Sequence, residues 1–103
     1  MMPSPIYQLF RDAIAGRKQV TCSYQGLSRE LCPHVLGHKH GQETALTYQF
    51  AGQSASGLPP GGEWRCLLLS QVHSAQLRNG PWHSRPHTRP QTCVDIIDIA
   101  VDC

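Results

Sequence analysis

Two runs of alternating residues set the frame for this chain. Val20, Cys22 and Tyr24 alternate with Gln19, Thr21 and Ser23; Leu46, Tyr48 and Phe50 alternate with Ala45, Thr47 and Gln49. A period of two sends successive side chains to opposite faces of an extended backbone, so each run reads as a half-buried strand. Gln25-Gly26 turns the chain after the first run. A second strand is expected from about Ser28 to Leu36, and Pro33 within it predicts an edge or a bulge, because proline cannot donate to a ladder. Gly37 to Gly41, Gly-His-Lys-His-Gly, reads as a turn before the third strand, about Glu43 to Phe50. Further strands are expected over about Glu63 to Leu69 and Gln71 to Leu77, the last ended by Asn79-Gly80-Pro81.

The ends of the chain differ from this pattern. Ser4-Pro5 opens a helix: serine caps free N–H groups and proline fits the first helical position. Ile6, Leu9, Phe10, Ala13 and Ile14 then recur at helical spacing, and Gly16 is a natural stop, giving a helix over about 4–15. So short an amphipathic helix must dock, most simply on its own sheet. Between Gly52 and Gly62 runs a long loop of small residues, glycine and proline, of the kind that carries function or moves. Residues 81–92 form a proline-rich arm, since three prolines between Pro81 and Pro90 preclude a helix or a central strand. Val94, Ile96, Ile97, Ile99 and Val101 favour a C-terminal strand over about 93–101, although Asp95, Asp98 and Asp102 also fit one helical face. The expectation is one α+β, mainly β domain spanning residues 1–103: a small antiparallel barrel over about 18–78, an N-terminal amphipathic helix and an extra C-terminal strand.

Composition narrows the class. With 103 residues there is room for one core. Only 16% of residues are charged and 40% are hydrophobic, which is not the signature of disorder. A net charge of +2 permits a nucleic-acid partner without demanding one. No window approaches the ~18 apolar residues of a membrane span. Five cysteines at wide spacings, with no Cys-x-x-Cys pair and no basic-then-apolar leader, predict reduced thiols packed as small core residues in a cytoplasmic protein.

The order of motifs resembles the WYL domain of bacterial transcription regulators. The resemblance runs over roughly residues 6 to 78: the helix ending Ala13-Ile14, then Val20-Thr21-Cys22-Ser23-Tyr24, Arg29-Glu30-Leu31-Cys32-Pro33, the glycine turn, the strand near Leu46, and Trp64-Arg65-Cys66-Leu67-Leu68-Leu69-Ser70-Gln71-Val72. The chain is similar to a diverged, stand-alone member. The Trp-Tyr-Leu triad falls at Thr44-Ala45-Leu46 and keeps only the leucine; Gln71 stands at a family arginine and Leu67 at a family aromatic. The Gly-Leu-Pro-Pro-Gly-Gly loop, the arm from Pro81 and the strand from Val94 lie outside the pattern. The resemblance implies an Sm-like, Src-homology-like small β-barrel that senses a nucleotide or single-stranded nucleic acid in a basic groove. Tyr24, Arg29, Pro33 and Arg65 are the positions that carry over.

Four constellations could carry chemistry. Arg29 and Arg65 offer forked donors to phosphate, while Tyr24 and Tyr48 offer faces to a base; the alternative is solvated arginines and packed tyrosines. Trp64, after Gly61-Gly62, is either a stacking aromatic at a loop mouth or, more commonly, a core anchor. Trp82, His83, Arg85, His87 and Arg89 interleave an aromatic with cations, as a nucleic-acid arm would; the plainer reading is an arm that wraps the barrel with Trp82 as its anchor. Cys32, His34, His38 and His40 are ligand types, but their spacings match no zinc pattern, so a buried Cys32 and exposed turn histidines are expected and no metal or cofactor.

Catalytic motifs are missing: no Gly-x-Ser-x-Gly elbow, no phosphate loop ending in Gly-Lys, no His-Glu-x-x-His. The primary expectation is therefore a non-enzymatic, ligand-sensing module with a nucleotide or single-stranded nucleic acid as ligand and no catalytic residue. The alternative is an interaction protein that forms a homodimer, or binds a partner, by strand addition through its edges and C-terminal strand.

Overall fold

Helix α1 spans Pro5–Gly16 in the computed structural model, which describes residues 3–54, 57–86 and 90–101. Its N-cap is Ser4, whose side chain accepts from the Tyr7 N–H at 3.1 Å. The helix runs through Gly16, and the reversal falls instead on Arg17, at φ 50° in the left-handed region. Phe10, Ala13 and Ile14 are buried as the spacing predicts; Ile6 and Leu9 are only half-buried, and Tyr7 takes the remaining core position. Each large side chain buried there contributes about 1.5–3 kcal/mol of apolar transfer energy.

Six antiparallel strands follow: β1 Gln19–Tyr24, β2 Leu27–Lys39, β3 Gln42–Gly52, β4 Glu63–Leu68, β5 Val72–Arg78 and β6 Ile96–Ala100. A single 3-10 turn, Leu69–Gln71, separates β4 from β5. The sheet order is β4-β3-β2-β1-β5, with β6 also on β2. β4 and β5 stand at the two ends of this path and do not pair, so the sheet is open where a barrel was expected. The radius of gyration is 12.4 Å, close to the ~13 Å of a compact domain this size.

β2 departs most from expectation. It continues through Gly37 to Lys39, leaving only His40-Gly41 to turn. It is also a central strand, so of the two outcomes that Pro33 allowed, an edge or a bulge, the bulge is the one found. The reason lies in its neighbours: pairing with β1 stops at Leu31 and pairing with β6 begins at Val35. Pro33 sits in the gap, facing Thr47 of β3 on the other side, with a register shift between Pro33 and Val35. A proline is tolerated where a strand has lost one neighbour and bulges.

The alternation of β3 sorts two layers. Ala45 joins α1, Val20, Cys22, Tyr24, Leu31, Leu36, Leu67 and Leu69 in the core on the inner face. Leu46 packs on the outer face with Cys93, Val94, Val35 and Trp64. The outer layer exists because the arm folds back over the sheet. Gln19 donates to the Pro81 carbonyl at 2.7 Å, and Lys39 donates to the Thr92 carbonyl at 2.5 Å. A disulfide joins Cys66 of β4 to Cys93, with Cα atoms 5.3 Å apart across 27 residues of sequence. This corrects the expectation of wholly reduced thiols: Cys22 and Cys32 are free and buried, but Cys66 and Cys93 are bonded. The C-terminal strand is shorter than expected, since Cys93 and Val94 serve as anchors ahead of it.

Candidate functional site

The sheet register brings Arg29 inside. The Gln25-Gly26 turn pairs Tyr24 with Leu27, which sets Cys22 opposite Arg29 on the core-facing side. Arg29 is only 5% exposed. Its Nη1 donates to Gln49 Oε1 at 3.3 Å, and its guanidinium carbon lies 5.1 Å from the Tyr24 ring centroid. The Gln49 amide nitrogen donates to the carbonyls of Ala51 (3.2 Å) and Gln53 (3.0 Å), which turns its oxygen toward Arg29. The Tyr24 hydroxyl accepts from the Leu68 N–H at 3.1 Å.

Arg65 reaches the same face from β4, where it pairs with Thr47. Its Nη2 donates to Ser54 Oγ at 2.9 Å and to the Gly57 carbonyl at 3.2 Å, and forms an ion pair with Glu63 at 3.0 Å. The Nε–H groups of both arginines are buried and have no acceptor among the described residues. Burial, and then the charge of Arg65, hold the Arg29 pKa below its ordinary value. Among the described residues one carboxylate, Glu63, faces this pair of cations. A buried donor without an acceptor costs about 1–3 kcal/mol, so each unpartnered Nε–H is a cost to the fold.

Tyr48 and Trp64 lie on the opposite face. They pair across β3 and β4, with ring centroids 5.2 Å apart at 74°. Tyr48 donates to the Gly61 carbonyl at 2.5 Å, and Trp64 meets the His34 ring edge-on at 4.6 Å. The expected groove of Arg29, Arg65, Tyr24 and Tyr48 therefore divides: the first three share the inner face, and Tyr48 joins the outer one. Tyr24 has Arg29 across its ring, so it backs a guanidinium where it was expected to stack a base.

The arm packs on that outer face. Trp82 lies 4.9 Å from His34, whose Nε2 is 3.0 Å from Ser84 Oγ. His83 stacks on Phe50 at 4.1 Å and donates its backbone N–H to Cys32 Sγ at 3.3 Å. Arg85 lies over Tyr48 at 5.9 Å. Arg89 and His87 lie outside the described residues. His34 lies on β2, within the expected second strand, and is 1% exposed. Cys32 and His34 do not converge with His38 and His40, and among the described residues no three potential ligands do.

Two features escaped the sequence reading. Gln49, which aims the site, stood out only as the polar member of an alternating strand. A cleft of about 570 Å³ between α1 and β6 also went unseen, because it joins residues about 90 apart in sequence. Most of its polar groups bond to one another: Tyr7 donates to Asp98 at 2.7 Å and Ser4 donates to Glu43, while His38 meets the Tyr7 ring at 5.5 Å. The free thiols are no better placed for chemistry. Burial pushes Cys22 from the ordinary thiol range up to about 11, only partly offset by Arg29, and burial raises Cys32 as well. Both are protonated at neutral pH and so are poor nucleophiles. The Arg29–Arg65 pair combines two cations on one face with a buried, unpartnered Nε–H on each. Compared with known protein families, curated proteins and solved structures, the chain finds no match.

Proposed function

We propose that this protein is a non-enzymatic sensing module that takes a phosphate-bearing ligand, a nucleotide or single-stranded nucleic acid, at Arg29 and Arg65. The observation that carries the reading is a nearly buried guanidinium with a second cation for its charged neighbour and an unused Nε–H on each. Arginine forks match phosphate oxygens two at a time. Gln49 orients Arg29 and Tyr24 backs it. The N-terminal helix, the strand order and the bulges support the finer reading of a small Sm-like curl, which is the WYL-like expectation. The test is fluorescence polarisation with labelled mononucleotides and short single-stranded DNA and RNA at two salt concentrations. Binding should weaken with salt, and Arg65→Ala should lose at least about tenfold, or ~1.4 kcal/mol. Equal affinity in the variant sinks the assignment.

A second reading is favoured by β6. Ile96 and Ile97 are 71% and 54% exposed, and β6 pairs only with β2 among the described strands. An uncovered edge with apolar side chains on both faces is a template for strand addition by a second copy. Light scattering on the full chain should then give a dimer that Ile97→Lys dissociates. A monomer at micromolar concentration removes this reading.

A further inference from the structure

The arm has its own chemistry, independent of the arginine pair. Its backbone passes over the outer face, where His83 caps the buried thiol of Cys32, and it is fixed beyond that point by the Cys66–Cys93 bridge. The two halves of that bridge differ. Cys66 is itself an exposed residue of β4, between half-buried Arg65 and buried Leu67, whereas Cys93 is 8% exposed and packs with Leu46 and Val94. The contacts that hold residues 81–86 down are ring contacts and single hydrogen bonds, to Gln19, His34, Phe50, Cys32 and Tyr48. The covalent restraint comes from the bridge.

The geometry points to Cys66 as a thiol–disulfide exchange site, at which a dithiol reductant frees the arm from the outer face and uncovers Cys32. A thiolate of the reductant attacks Cys66 Sγ, forming a mixed disulfide, and Cys93 leaves as a thiolate that takes up a proton. The second thiol of the reductant then attacks the mixed disulfide, is itself oxidised to a disulfide, and releases Cys66 as a thiol. Two electrons and two protons pass from the dithiol to the protein. Attack at Cys66 is favoured because exchange rates depend on access to the sulfur struck as well as on the thiols involved. Nothing comparable reaches Cys22, which lies on the other side of the sheet under α1.

That difference supplies the readout. The folded Cys103→Ser chain is alkylated at pH 8.5 with and without dithiothreitol, and the modified peptides are mapped by mass. On reduction, Cys66 and Cys93 should label, Cys32 should label at least tenfold faster than in the oxidised chain, and Cys22 should stay protected. A Cys66→Ser/Cys93→Ser variant should show fast Cys32 labelling with no reductant present. Three results overturn the proposal: a bridge that reduces only in denaturant, a Cys32 rate unchanged after the bridge opens, or Cys22 labelling that rises in step with Cys32, which would report unfolding of the domain as a whole.

Discussion

Arg29 stands where a cation is costly. Removing a guanidinium from water costs several kcal/mol unless an anion faces it, and the charge acting on Arg29 here is another arginine. Stability alone would therefore favour an apolar residue. Arg29→Met is expected to leave the unfolding free energy unchanged or raise it by about 1–2 kcal/mol, while abolishing the phosphate binding proposed for this pair. Urea denaturation beside polarisation checks the pair of outcomes; a loss of more than ~2 kcal/mol would make Arg29 a structural residue. Its inward position was legible in the sequence. A two-residue Gln25-Gly26 turn pairs Tyr24 with Leu27 and hence Cys22 with Arg29, so Arg29 must share the apolar face. The division of Tyr24 from Tyr48 was equally implicit, but only the register between β2 and β3, with its two shifts, decides it.

At the scale of elements, alternation announced β1 and β3 to within about two residues, turn signals and apolar runs announced the other strands more loosely, and the Ser4-Pro5 signal announced the helix. Failures came where a long-range neighbour overrides local chemistry. Gly37 looks like the start of a turn, yet it is needed inside β2 because β6 passes against it. A Cβ there would collide with the Ile96 carbonyl oxygen and come within 2.8 Å of Val94 Cγ1. Gly37→Ala is thus expected to push β6 off the sheet and cost about 1–3 kcal/mol, the range for overpacking. Hydrogen exchange should show protection lost in Ile96–Ala100 and kept in β1. Uniform protection would mean that β6 shifts without penalty. The 3-10 turn at Leu69–Gln71 was hidden for a different reason: Leu69 continues the apolar run of β4, and the passage from one end of the strand path to the other depends on pairings that local sequence does not show.

The whole molecule is one curved sheet covered on its inner face by α1 and on its outer face by the arm. Length pointed to a single core, and the order of helix and strand signals pointed to the α+β class. The arm's residues did suggest a wrapping segment anchored by Trp82, but its fastening could not be read, because pairing five cysteines is not deducible from spacing. No helix among the described residues is long and apolar enough to cross a membrane. The double covering has a consequence for how substitutions combine. Trp64 and Arg65 are adjacent in the chain but work on opposite sides of the sheet and share no described side-chain partner. Tyr48 and Trp64 are 16 positions apart and touch. In double-mutant cycles on stability, Trp64→Ala with Arg65→Ala should be additive within about 0.5 kcal/mol, while Trp64→Ala with Tyr48→Ala should show a coupling of at least ~0.5 kcal/mol. Energetic kinship in this protein should follow the parity of the residue number within a strand, and closeness in sequence should say little about it.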